Sequence, residues 1–301
     1  MTLLLLRRWA WAMLAFPLAA PAAEPAPAML TLLEGTATLV RGVARYALAE
    51  GVRLQSGDIL EIGESSIAEM EFADGAALTL GPDSRVLAAA LPRSATARGD
   101  FYVPQGVAKF GRVKPEARLR VTTPVGTVQP AEGAAVLRVS GSGMQVFAEG
   151  GPVAITGQPR RGAPAETLRL RTGEFSSGKS VQRGGVRPRP TPEFIAALPR
   201  LFLDPLPSRL ARVKDRPAQP RQMDVVTYAM VETWLKAPYA IRRPMPARFR
   251  ALADDPAFRE ALIANMRFHP EWDRVLFPEK YEPKEPGTPG AAAPPPPAGA
   301  R

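Results

Sequence analysis

Apolar and polar residues alternate with a period of two along most of the chain from Met29 to about Phe175, and the period lengthens to that of a helix further on. The clearest stretch is Ala68-Glu69-Met70-Glu71-Phe72, followed by Asp74-Gly75 and Leu78-Thr79-Leu80. It predicts an antiparallel hairpin with one buried face and one wet face, Glu69 and Glu71 pointing to solvent. The pattern also fixes the register. A two-residue Asp74-Gly75 loop would set Leu78 opposite Glu71, on the polar face. A three-residue loop, Ala73 to Gly75, sets Leu78 opposite Met70 and Leu80 opposite Ala68, with Gly75 where a left-handed residue is needed. The three-residue loop is therefore predicted.

Similar strand-like pieces recur at Ala37–Val40, Val52–Leu54, Ile59–Ile62, Val86–Ala89, Val107–Phe110, Leu119–Thr122, Ala135–Val139, Gln145–Ala148, Val153–Ile155 and Thr167–Leu170. Short strands at this spacing, with no helix-length pattern between them, predict a mainly β domain: an antiparallel sandwich or roll rather than a doubly wound parallel sheet. After Thr191 the pattern turns helical. Pro192-Glu193 opens one segment, which Pro199 breaks into a kink or two short helices. Asp224 is expected to cap a helix ending at Leu235 or Lys236, and Asp255-Pro256 to start another reaching Met266. The expected organisation is a signal peptide over 1–22, the β domain over 29–175, a basic Pro/Gly linker over 176–191, a small α-helical region over 192–281 and a disordered Pro/Ala tail over 282–301.

The N-terminus sharpens this picture. Arg7-Arg8 precede a 12-residue apolar run from Trp9 to Ala20, followed by small-residue triplets ending at Ala22 and Ala28. That is the layout of a secretory signal cleaved after one of those alanines. The run falls short of the roughly 20 residues that a spanning helix needs, and no membrane span is expected in the mature chain. Periplasmic residence is expected, with an uncleaved inner-membrane anchor as the alternative. Charge is uneven. The chain carries a formal net charge of +10, and residues 160–221 hold fourteen basic residues against five acidic ones. Arg187 and Arg189, set between prolines, are candidate contacts for a polyanion. Nucleic acid is not an expected partner, because export and the absence of aromatic interleaving among these arginines argue against it.

Composition removes most catalytic chemistry. With no Cys and a single His among 301 residues, thiolate nucleophiles, disulfides and His-rich metal sites are out. No Gly-x-Ser-x-Gly elbow is present, and Gly141-Ser142-Gly143 sits between strands rather than before a helix. His269 could meet a carboxylate and Ser208 only if the fold gathered them; as the residue before Pro270 it reads as a helix start. No catalytic, cofactor or metal residue is assigned.

Several of these pieces, taken in order, resemble the FecR domain family. They are Leu54-Gln55-Ser56-Gly57-Asp58-Ile59; Ala68 to Leu80 with Pro82-Asp83-Ser84; Val121-Thr122-Thr123-Pro124-Val125-Gly126-Thr127-Val128; Val146-Phe147-Ala148-Glu149-Gly150; and Leu170-Arg171-Thr172-Gly173-Glu174. The resemblance implies an all-β extracytoplasmic domain that serves as a sensor and regulator of surface signalling or as an accessory module of envelope proteins. Two departures stand out. Pro130-Ala131-Glu132-Gly133-Ala134 replaces the family's Arg-Gly-Thr-like step. Only eight residues precede the apolar run, so direct control of a sigma factor is not expected.

The functional expectation is an exported, non-catalytic envelope protein of a Gram-negative periplasm that engages a partner protein, with cell-wall glycan binding as the alternative. Gly57, Asp58, Asp74, Gly75, Thr123, Pro124 and Gly126 are expected to define turns. The aromatic block Trp272, Phe277 and Tyr281 joins Arg187 and Arg189 as candidate interaction residues.

Overall fold

A computed structural model describes residues 28–92, 98–112, 118–159, 164–181 and 185–282. The signal-peptide segment, the tail beyond Glu282, and Arg160, Arg161 and Arg183 of the basic window lie outside the described residues.

The β region is two layers that share one strand. The first sheet runs β1(Met29–Glu34), β5(Ile67–Glu71), β6(Ala76–Leu80), β8(Arg98–Arg112), β11(Ala134–Ser140), β12(Gly143–Ala148), β15(Phe175–Gly178), β16(Val186–Arg187). The second runs β17(Arg221–Val225), β3(Ala44–Ala47), β2(Ala37–Arg41), β4(Ile59–Ile62), β7(Arg85–Ala90), β8, β9(Arg118–Thr122), β10(Gly126–Pro130), β13(Val153–Gly157), β14(Thr167–Leu170). Every pair is antiparallel except β8–β9. The fold is thus the mainly β, antiparallel layered architecture with a small helical C-terminal region that the alternation predicted. Within 176–191, read from sequence as a linker, β15 and β16 extend the first sheet.

The 15-residue β8 was legible only as the piece Val107–Phe110. Its first half pairs with β7 and β9 in the second sheet, and from Gly106 onward it pairs with β6 and β11 in the first. Gly106 makes the transfer with φ +111, and a Cβ there would stand 2.3 Å from the Ser84 backbone. Ser84, fully buried, clamps the bend: its hydroxyl accepts from Val107 N at 2.9 Å and reaches Val107 O at 2.9 Å.

Inward residues of both layers form one apolar core: Met70, Leu78, Phe110 and Leu137 from the first sheet meet Leu39, Leu60, Val86 and Val121 from the second. The hairpin register is the predicted one, with Ala68 opposite Leu80 and Met70 opposite Leu78. Its loop is Ala73-Asp74-Gly75, closed by Phe72 N bonding Ala76 O at 3.0 Å, with Gly75 at φ +83.

Both outer faces are covered by the chain beyond β16. On the second sheet, Val40, Ile59, Leu87 and Tyr102 lie under α4(Tyr228–Leu235), α5(Tyr239–Arg242), α6(Met245–Arg248), α7(Pro256–Ala264) and α8(Asp273–Leu276), with Trp234, Phe249, Leu262 and Trp272 fully enclosed. On the first sheet, Val107, Val136 and Phe175 lie under Phe194, Leu198 and Phe202 of α1(Pro192–Ala196) and α2(Arg200–Leu203). Pro199 separates α1 from α2, as expected. A further turn, α3(Leu210–Val213), follows. Asp224 does not cap a helix. It belongs to β17, where Arg45 grips its carboxylate at 2.8 and 2.6 Å, and α4 begins only at Tyr228. Asp255 does cap α7, accepting from Phe258 N at 2.8 Å.

Gly106→Ala is expected to destabilise the fold by about 3 kcal/mol, because the added Cβ meets backbone at a positive φ. Gly141→Ala, with open space around it, should stay within about 0.5 kcal/mol. Urea denaturation of the two variants side by side measures both.

Candidate functional site

The outer face of the first sheet is apolar at one end and charged at the other. Two cross-strand rows define it. One row is Glu69, Thr79, Lys109 and Val136; the next is Glu71, Ala77, Gly111 and Ala134. Period two puts both rows on the face opposite Met70, Leu78 and Phe110. The second row holds small residues after Glu71, which leaves a hollow. The chain from Leu201 to Leu210 crosses over it as a strap. The result is a cavity of about 670 Å³ between sheet and strap.

The strap is tied to the sheet by polar contacts. Ser208 donates its hydroxyl proton to Glu71 Oε2, and Arg209 N donates to Glu71 Oε1 at 2.7 Å. Lys109 donates to Phe202 O at 2.6 Å and pairs with Glu149 at 2.6 Å. Glu69 accepts from the Thr79 hydroxyl at 2.9 Å. Glu69 and Glu71 are each only 7 % exposed. This corrects the expectation that they face solvent: the alternation gave the face, and the strap removed the water from it. Burial pushes the Glu69 pKa up, against the downward pull of the Thr79 hydrogen bond, and the neighbouring Glu71 charge pushes it further up.

Gly57, Asp58, Asp74, Gly75, Thr123 and Pro124 lie between strands, and Gly126 is the first residue of β10. Gly57 has φ +92. Asp58 is buried and accepts from Arg41 at 2.9 and 2.6 Å and from Gln55 N at 2.8 Å. Asp74 accepts from Ala76 N at 2.9 Å. The Thr123 hydroxyl closes the Thr123-Pro124-Val125-Gly126 turn, accepting from Val125 N and Gly126 N at 3.1 Å each.

The proposed interaction residues fare differently. Trp272 has no exposed surface and packs beside Phe258, so it is a core residue and offers nothing to a partner. Phe277 is half-buried between Arg259 and Lys280, whereas Tyr281 is exposed and donates to Asp273 Oδ2 at 2.6 Å. Arg187 and Arg189 are exposed, Arg187 within β16. The aromatic block and the two arginines thus sit on separate elements.

His269 and Ser208 also lie apart. His269 is buried in the helical cover of the second sheet, its Nε2 3.1 Å from the Tyr228 hydroxyl, while Ser208 serves the outer face of the first sheet. Burial lowers the His269 pKa and pushes the Tyr228 pKa up to about 12. Among the described residues, no group of three or more His, Asp and Glu is placed to hold a metal, and no helix is long and apolar enough to cross a membrane.

Sequence reasoning missed Lys109, Glu149 and Ser208 as members of one site. The alternation and register place Glu69, Glu71 and Thr79 together, but nothing local shows that residues 201–210 return over them from more than 120 positions away.

Residues 58–154 match the family model described as FecR protein. No curated protein matches the chain. Two crystal structures, at 1.65 and 2.50 Å resolution, of a protein from Parabacteroides distasonis ATCC 8503 provisionally described as an anti-sigma factor are similar. Each has 14% sequence identity and a TM-score of 0.34, and the alignment covers 43% of this chain and 57% of that one.

Glu69 generates a pH prediction. Its folded pKa is raised, so its contribution to stability is present below the unfolded value and is lost as pH rises through the folded value. Glu69→Gln should therefore be the more stable protein at neutral pH, by about 1 kcal/mol, and the gap should close as pH falls toward about 4.5. Thermal unfolding of both proteins across pH 4.5 to 8 reads this directly.

Proposed function

We propose, starting from the FecR domain that this chain carries over residues 58–154, that the protein is an exported, non-catalytic accessory of envelope signalling or scaffolding that engages a protein partner. The observation that carries the reading is where the match falls. It runs from β4 through β12 into the first two residues of β13, including the shared strand β8, and so takes in the centre of both layers. The module that does the work is therefore the β core, and the segments after β16 are additions that cover its outer faces.

Export rests on Arg7-Arg8, the apolar run from Trp9 to Ala20 and the small residues that follow. These residues support the periplasm as the compartment. Partner engagement is supported by β17. Among the described strands it pairs only with β3, and it exposes Met223 and Val225 at 44% and 54%. A free strand edge with exposed apolar side chains is a surface onto which another chain can add by backbone hydrogen bonds.

In-cell crosslinking of the tagged chain, with the adduct digested by a muramidase before gel analysis, tests the reading. A discrete band that ignores the enzyme is the expected result, and mass spectrometry then names the partner. A ladder that collapses on digestion would instead assign the protein to cell-wall glycan.

A further inference from the structure

We infer that the cavity between the first sheet and the 201–210 strap is a binding site for a small amphiphilic organic cation, an ammonium or guanidinium carried on an apolar stem. Nothing in the partner reading requires this site, and the two stand or fall separately.

Size comes first. About 670 Å³ is in the range of small-molecule pockets. The hollow follows from the sequence of one row, where Ala77, Gly111 and Ala134 stand side by side on three adjacent strands. Larger residues there would fill the space, as Val136 and Phe175 do at the other end of the same face. Leu201, Leu206 and Leu210 of the strap supply apolar walls.

Charge then selects the ligand. Lys109 lines the cavity, but its ammonium is already engaged by Glu149 and by the Phe202 carbonyl. Glu71 is met by the Ser208 hydroxyl and the Arg209 backbone N–H, while the Arg209 guanidinium reaches Glu50 at 3.7 Å. Glu69 is more than nine-tenths buried and lines the cavity, and among the described residues its carboxylate receives a single hydrogen bond, from Thr79 to Oε2. Its Oε1 receives no hydrogen bond from the described residues. The charges of Lys109 and Arg209 are near enough to pull on it, but they pair with Glu149 and Glu50 rather than with Glu69, and a buried carboxylate with spare acceptor capacity is relieved by an incoming positive group. An anion would meet three carboxylates, Glu69, Glu71 and Glu149, and the cation among the described lining residues, Lys109, is already paired with Glu149. A neutral apolar molecule would leave Glu69 as unpaired as before. An apolar stem along the leucines, with its positive end at Glu69, satisfies both halves of the lining.

Calorimetric titration of the purified full chain with n-octylammonium, n-octanol and n-octanoate, three ligands on one stem, tests the assignment. Octylammonium should bind at least tenfold more tightly than octanol, and octanoate should not bind. Glu69→Gln should weaken octylammonium at least tenfold while keeping the melting temperature at or above that of the unaltered protein. Ala77→Phe should abolish binding by filling the hollow. Ala134→Leu serves the same purpose should the first variant melt early. Equal affinity for ammonium and alcohol, full affinity in Glu69→Gln, or absence of octylammonium binding in the folded protein would each overturn the inference. Tighter binding of N-acetyl-lysine methylamide than of octylammonium would transfer the cavity to a lysine side chain of another protein, and would also overturn it.

Discussion

One strand belongs to both sheets, and the rest of the molecule is arranged around that constraint. β8 enters the second sheet at Arg98 and leaves the first at Arg112, so its residues set the register of four neighbours, two in each layer. Side chains along a strand alternate strictly, and a slip of one position in either half would exchange the core for the outer face. The bend has to fall at one residue. Gly106 occupies it because its φ of +111 and its approach to Ser84 leave no room for a Cβ. The Ser84 hydroxyl then bonds both backbone groups of Val107, whose carbonyl also accepts from Gly81 N at 2.8 Å. Phe110 points into the common core only because the chain turned at Gly106 four residues earlier, and Lys109 points outward for the same reason.

A sandwich built this way still has two outer faces to manage, and they are managed by different physics. The second sheet presents Val40, Ile59, Leu87 and Tyr102 outward, and the helical region buries them beneath tryptophan, phenylalanine and leucine. Area removed from water is the main attraction there. Arg248 supplies the directional part. Its guanidinium donates to the carbonyls of Val40 at 2.9 Å, Gly42 at 3.2 Å and Gly57, and lies over the Phe249 ring at 5.0 Å from its centre. Burial lowers its pKa to about 10, with Asp58 nearby pulling the other way, so the group is still charged at neutral pH. A planar fork that reaches several carbonyls from one rigid position is something lysine could not reproduce. The Gly57-Asp58 turn is thus held from two sides, by Arg41 on the carboxylate and by Arg248 on the backbone.

How much of this could be read from the sequence follows from the range of each interaction. The hairpin at Ala73-Asp74-Gly75 was legible to the residue, because a two-residue pattern and one glycine decide it locally. The break at Pro199 and the cap at Asp255 were legible for the same reason. The length of β8 was not, since Pro104, Gly106 and Gly111 interrupt its pattern while four neighbouring strands hold it extended. Asp224 was misread because its local sequence suits a helix cap equally well, and only Arg45, 179 positions away, decides for a strand. Trp272 was misread because an aromatic block near a proline-rich tail looks the same whether it is packed or displayed. The candidate site was half legible: its carboxylates were found and placed on the correct face, but the strap that buries them was invisible.

That strap raises a question of energetics. Covering the charged end of the first sheet largely removes Glu69 and Glu71 from water, and burial pushes the Glu69 pKa up against the pull of its hydroxyl hydrogen bond from Thr79. An apolar pair at these positions would suit the strap's leucines better and would close the hollow beside Ala77 and Ala134. The fold at the other end of the same face does this with Val136, Phe147 and Phe175. The two ends of one surface, built on the same strands and covered by consecutive stretches of chain, therefore follow opposite policies. One is packed to exclusion; the other keeps a cavity and a carboxylate with no ion-pair partner among the described residues. Retaining a locally unfavourable arrangement beside a favourable one is the pattern of a binding site, where stability is given up so that a ligand, rather than the protein itself, supplies the missing contact.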